Sequence, residues 1–131
     1  MEPITTRTAK IWLRADGIVQ GVSLPKSYQT LEDAQVNAAA LARVCLGEPR
    51  PWLIDIRLGQ GVDRQARVYY SSEAVVRFTR AVAVALLIGS PVSRVVANFF
   101  ISLNKMLIPT RLFTSEDQAV AWLKTFLVLN V

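Results

Sequence analysis

Two carboxylates and two arginines crowd one short stretch of this chain. Asp55 and Arg57 close the apolar run Trp52-Leu53-Ile54-Asp55-Ile56-Arg57, and Asp63 and Arg64 follow a turn that carries Gly59 and Gly61. Two carboxylates on one loop could perform acid/base chemistry or hold magnesium. The plainer roles are structural: Asp63 as the N-cap of a helix, and Asp55 hydrogen-bonded to loop amides or to an arginine. A second polar group is Ser90-Pro91-Val92-Ser93-Arg94. Free amides at a helix start, two hydroxyls and a guanidinium would suit a phosphate or carboxylate, although Ser90 would serve equally as an ordinary cap. The glycines at 59 and 61 make no phosphate loop, because no Gly-Lys-Ser/Thr follows them. Ser71 and Ser72 are candidates for modification or for a helix break. Tyr69 and Tyr70 are candidates for a cavity wall or for the core.

Other residue types narrow the chemistry. The chain has no histidine and a single cysteine, so the commonest general base and the commonest metal ligand are missing and a zinc site is not expected. Cys45 falls on an apolar helical stripe with Leu41 and reads as a small buried hydrophobe. The net charge is +5, but the arginines are dispersed from Arg7 to Arg111 without a basic block or interleaved aromatics. That reads as a mildly basic solvated surface rather than a nucleic-acid face. We expect no cofactor and no metal.

The elements that would position these groups follow from pattern. At 131 residues and 52% hydrophobic composition the chain is long enough for one well-buried core. Residues 1–8 are polar and expected to fray, and residues 9–131 form a single domain. Lys10 to Arg14 alternates, Asp16-Gly17 is a turn signal, and Ile18 to Val22 continues as a second strand of an antiparallel hairpin. Thr30 opens a helix with a capping-box pattern that places Asp33 where glutamate is usual. Leu31, Ala34, Ala38, Leu41 and Cys45 form its stripe, and Gly47, Pro49 and Pro51 end it. Trp52 to Ile56 is a third strand. A second helix runs from Asp63 to about Thr79 with a break near Ser71-Ser72. Ala81 to Ile88 is a fourth strand, too short to span a membrane. A third helix starts at Ser90 with a wide apolar face from Val92 to Leu103, flanked by Ala97 and Ile101. Thr110 to Phe113 is a fifth strand. Thr114 or Ser115 caps a last helix whose buried face is Ala119, Trp122, Leu123 and Phe126. Ile54, Ile56, Val84 and Leu86 should be core. The order β-β-α-β-α-β-α-β-α implies an α/β fold whose mainly parallel sheet has an antiparallel amino-terminal edge.

This order resembles the STAS fold of anti-sigma-factor antagonists and, more narrowly, the bacterial SpoIIAA-like (STAS/CRAL-TRIO-like) family. The resemblance rests on Asp16-Gly17-Ile18-Val19, Leu53-Ile54-Asp55-Ile56-Arg57, Ala81 to Gly89 followed by Ser90-Pro91-Val92-Ser93-Arg94, Pro109-Thr110-Arg111-Leu112-Phe113, and Glu116 to Leu123. In the phosphorylated antagonists an Asp-Ser-Ser-Gly-type turn opens the second helix and a kinase modifies one serine. Here the matching stretch is Asp63-Arg64-Gln65-Ala66. The aspartate is kept and the serines are not, so the resemblance implies the module without its phosphoswitch.

Two functions are therefore expected. The first is a non-catalytic, cytoplasmic interaction module that forms a homodimer and binds a protein partner. The second is a small-molecule binder holding a lipid-like or anionic ligand in an apolar cleft rimmed by Arg57, Arg64, Arg94 and Arg111, with Asp55, Arg57, Asp63, Arg64, Ser90, Ser93 and Arg94 as binding residues. An apolar cavity at the sheet–helix boundary would favour the binder. A filled core with an apolar outer patch would favour the module. Nucleic acid is not expected as a partner, nor is a membrane span, and the lack of a nucleophile–base pair argues against an enzyme.

Overall fold

The fold is built on a central strand whose neighbours run parallel to it on both sides. In a computed structural model, which describes residues 2–89, 97 and 106–129, the strands are β1 (Ile4–Thr5), β2 (Ala9–Leu13), β3 (Val19–Ser23), β4 (Tyr28–Gln29), β5 (Arg50–Asp55), β6 (Gly61–Val62), β7 (Ala81–Leu87) and β8 (Thr110–Phe113). The helices are α1 (Leu31–Val44), α2 (Arg64–Tyr70), α3 (Glu73–Thr79) and α4 (Glu116–Leu129). Six strands form one sheet in the order β1-β2-β3-β5-β7-β8. The β1–β2–β3 edge is antiparallel, and β3, β5, β7 and β8 are parallel. This is the α/β architecture that the alternating pattern implies. β4 and β6 pair separately as a parallel two-residue ladder.

Local chemistry accounts for the helix ends. Thr30 accepts from Asp33 N while the Asp33 carboxylate accepts from Thr30 N, so the capping box forms with aspartate in the third position. The Asp63 side chain accepts from Ala66 N at 2.8 Å and starts α2. The expected break falls where two weak helix formers adjoin: Ser71 ends α2 and Ser72 caps α3, accepting from Val75 N. Ser115 takes the cap of α4, its hydroxyl accepting from Gln118 N at 3.3 Å.

The amino end departs from expectation. Within residues 1–8, expected to fray, Ile4 and Thr5 pair with Ile11 and Lys10. The Thr6 hydroxyl oxygen accepts from Ala9 N at 3.1 Å, and Thr8 is fully buried. Polar composition misleads here because the threonines satisfy a tight turn rather than solvent.

Period-two alternation sends successive β5 residues to opposite faces. Leu53 faces α4, in a fully buried cluster with Ile18, Ala83, Ala85, Leu87, Ala119 and Leu123. Trp52 faces α1, clustered with Val19, Ala40, Leu41, Val44 and Val84. Cys45 is buried in that second cluster, as its stripe position implies. Trp122 is half-buried rather than central. It stacks on Phe113 and Phe126 at centroid distances of 5.6 and 5.0 Å, beside Ala119 and Leu123.

The two faces are unequally filled. Of the four strand residues expected in the core, Val84 is buried, whereas Ile54, Ile56 and Leu86 are only half-buried. Leu53→Ala should therefore cost about 2–5 kcal/mol, the range for emptying a tight leucine site. Ile54→Ala, one residue along on the looser face, should cost at least about 1 kcal/mol less. Urea unfolding of both variants checks this, and equal losses would mean that both faces are equally packed.

Candidate functional site

Strands β2, β3, β5 and β7 and helices α1 and α2 line an apolar pocket on the looser face. The register aligns Ile11, Gly21, Ile54 and Leu86 across β2, β3, β5 and β7, and Trp52 and Val84 lie in the next row on the same side. Gly21 is the one member of its row without a side chain. A Cβ there would meet Ile54 Cδ1 at 3.3 Å, so the glycine lets the Ile54 side chain lie close over the β3 backbone. Leu41 of α1 and Tyr70 of α2 wall the space, with Val62, Ala97 and Met106. Its volume is about 140 Å³.

A polar network lies at one end, formed by residues brought together from four segments. The Tyr70 hydroxyl donates to Gln29 Oε1 at 2.5 Å, and Asn37 Nδ2 donates to Thr8 Oγ1 at 2.9 Å and lies 3.2 Å from the Tyr70 oxygen. Asn37 Oδ1 in turn accepts from the Thr6 hydroxyl at 2.6 Å. Burial pushes the Tyr70 phenol well above its ordinary pKa, so it stays a neutral donor. Behind this network Arg7 Nε donates to Asp33 Oδ1 at 2.9 Å and its terminal nitrogen pairs with the other carboxylate oxygen. A smaller niche of about 30 Å³, the size of one water, adjoins the pocket and shares Ser23, Gln29, Ile56 and Val62 with it. The Ser27 hydroxyl in that niche is buried without a partner.

The charged residues singled out from sequence are placed elsewhere. Asp55 pairs in register with Val22 and Leu87, on the α4 face and not the pocket face. Its carboxylate accepts from Arg57 N and Nε, both at 3.0 Å, and from the Arg57 terminal nitrogen at 2.7 Å. Asp63 is consumed as a cap, Arg64 is exposed on α2, and Arg111 stacks over Phe113 and Trp122 at 5.3 and 5.4 Å. Asp55 and Asp63 thus take the plainer structural roles, and Arg57, Arg64 and Arg111 do not line the pocket. Ser90, Ser93 and Arg94, and the wide face from Val92 to Leu103 apart from buried helical Ala97, lie outside the described residues. Among the described residues no three acidic, cysteine or histidine groups cluster to hold a metal. No helix there is long and apolar enough to cross a membrane.

The residues that make the pocket carried a signal: Gly21 stands alone inside a strand pattern, which marks a close approach or a gap. Tyr70, a candidate for a cavity wall in the sequence, is one. Gln29 and Asn37 had no signal, because their partnership depends on tertiary placement.

A family model described as a domain of unknown function, DUF7793, matches residues 11–127. The chain belongs to the DUF7793 family. No curated protein matches it. Among solved structures, it is similar to an uncharacterised DUF3478-family protein with a SpoIIAA-like fold from Shewanella loihica PV-4. That match has a TM-score of 0.58 and 16% identity over 92% of this chain and 98% of the other. A protein of unknown function from Arthrobacter sp. FB24 also matches, at 29% identity over 93% of this chain and 97% of the other, with a TM-score of 0.32. This DUF7793 chain therefore has a SpoIIAA-like α/β fold.

The Arg7–Asp33 pair yields a pH dependence. The Arg7 guanidinium, helped by the Thr30 amide and hydroxyl, holds the Asp33 carboxyl down to about 2. A folded-state pKa below the unfolded one contributes stability that is complete above the ordinary carboxylate range and is lost on acidification, here from about pH 4 to about pH 2. Because Arg7 is largely solvent-exposed, screening keeps the contribution small. Thermal melts should show Asp33→Asn losing less stability than the parent across that window. Equal losses would remove the pair from the acid response.

Proposed function

We propose that this DUF7793 domain is a non-catalytic binder of a small apolar molecule, held in the pocket between the sheet and α1–α2. The observation that carries the reading is the pocket itself: about 140 Å³ of almost wholly apolar space beside a sheet row interrupted by Gly21. A packed core of this size would ordinarily hold few voids larger than water. Concave apolar spaces with a few convergent polar groups are the usual form of ligand sites. The polar end at Gln29, Asn37 and Tyr70 supplies such groups. This places the lipid-like half of the sequence-based binding expectation ahead of the anionic half, since Arg57 and Arg111 are engaged elsewhere.

A second reading, a STAS-like interaction module, draws on a different surface. The described start of α2 offers no hydroxyl between Asp63 and Ala66, which agrees with a module lacking the serine switch. The outer sides of α1, α2 and α3 expose Val36, Val68 and Phe78, a set of apolar side chains suited to a protein partner or a second copy in a cytoplasmic homodimer.

Native mass spectrometry of the purified protein separates the two readings. The binder reading expects mass above that of the 14.5 kDa chain, released on denaturation as a small molecule and lost in Leu86→Trp, which fills the pocket. Bare chain in repeated preparations, with no small molecule stabilising it in thermal melts, would count against this reading. The module reading expects a dimer that Phe78→Glu weakens at least about tenfold, the scale of losing one apolar anchor at an interface. A monomer at micromolar concentration in sedimentation equilibrium would remove the self-association.

A further inference from the structure

A buried donor on a residue that lines the pocket has nothing to donate to. Trp52 lines the pocket, is 7% exposed, and its Nε1–H has no hydrogen-bond partner. Buried indole N–H groups usually find a partner, because leaving one unmade forfeits its hydration without return. The other polar side chains at the pocket's polar end satisfy one another: Tyr70 donates to Gln29, and Asn37 donates to Thr8 and accepts from Thr6. The indole can only donate, so the group that completes it must be an acceptor. Among the described lining residues none is Asp, Glu, Lys or Arg, so a charged ligand group would lose its hydration with no counter-charge. The volume of about 140 Å³ is close to that of an engineered apolar cavity of about 150 Å³ that holds benzene.

We propose that the pocket takes an uncharged molecule of about one aromatic ring in size that carries a hydrogen-bond acceptor, and that the Trp52 Nε1–H reads that acceptor. This rests on the ligand-binding reading above and names its ligand class. A ketone, ester or ether oxygen fits. A carboxylate or phosphate does not.

Three probes of nearly one shape test it: acetophenone, α-methylstyrene, in which a methylene replaces the carbonyl oxygen, and benzoate, its anionic counterpart. Each is titrated into the full chain and into Trp52→Phe, with the indole N–H signals followed by NMR. Acetophenone should bind and move the Trp52 N–H signal downfield, and α-methylstyrene should bind without that shift. Trp52→Phe should lower the affinity for acetophenone about fivefold more than that for α-methylstyrene, the scale of one net hydrogen bond. Benzoate should not compete with either. If the substitution weakens both neutral probes equally, or if acetophenone binds with the Trp52 signal unmoved, the indole is only a packing surface and the inference falls while the ligand-binding reading stands. Benzoate binding more tightly than acetophenone overturns the neutral-ligand claim. If no probe binds the parent chain, the ligand-binding reading falls and takes this inference with it. The parent's N–H signal keeps the test decisive if Trp52→Phe fails to fold.

Discussion

The arrangement depends on β5 being hydrogen-bonded on both edges. Its backbone pairs with β3 on one side and β7 on the other, so its peptide groups are satisfied within the sheet and both faces are free to be apolar. From that point alternation does the sorting. Leu53 goes to the α4 face and Trp52 and Ile54 to the α1 face. A one-residue slip would exchange the two sets and put Asp55 into the pocket face. The short Asp55–Arg57 clamp at the end of the strand, with three hydrogen bonds to one carboxylate, works against such a slip, because Asp55 would have to be buried without its guanidinium.

Unequal filling of the two faces follows from which residues the neighbouring strands supply. On the α4 face β5 and β7 present Leu53, Ala83, Ala85 and Leu87, small and large side chains that leave room for Ala119 and Leu123 to close down. On the α1 face the row through Gly21 lacks one side chain, and Ile54 leans over the glycine, while α1 approaches through Ala40, Leu41 and Val44. The helix is held at its amino end by the capping box and the Arg7–Asp33 pair, and near its carboxyl end by Arg50, whose Nε donates to Cys45 O at 2.9 Å. Anchored at both ends, α1 is not free to settle into the gap as a loosely held helix would, and cavities persist where the surroundings cannot relax.

Much of this was legible in the sequence, and the illegible parts share a cause. Thr110 to Phe113 and Ala81 onward read as strands because their apolar pattern and flanking Pro109 and Gly89 mark them. The first helix reads from Thr30 because its cap, stripe and Gly47 stop all agree, which is the condition under which local signals are dependable. The strands β1, β4 and β6 span two residues each, too few for any period to show. Asp55, Arg57, Asp63 and Arg64 attracted a catalytic or anion-binding reading because they are close in sequence. The fold separates the Asp55–Arg57 pair from Asp63 and Arg64, with Asp55 on the α4 face and Asp63 turned to its own helix amides. The site residues that matter, Gly21, Gln29, Asn37, Trp52 and Tyr70, are close only in space. Their grouping needs the β2–β3–β5–β7 register, which no single segment encodes.

That separation of charge from the pocket carries the functional argument. A small domain with a +5 net charge would draw anions to its surface by long-range attraction, yet such attraction sets encounter rates more than it sets what is held inside. Inside, the described lining offers alkyl groups, a thioether, an indole, a neutral phenol, two amides and the hydroxyls of Ser23 and Thr110. Arg57 is neutralised by Asp55, Arg7 by Asp33, and Arg111 is spread over two aromatic rings. The side chains with the clearest chemistry in the sequence are thus spent on holding the fold. The side chains that line the pocket are those whose chemistry is least conspicuous, and a ligand of the kind proposed would be selected by shape and by a single donor rather than by charge.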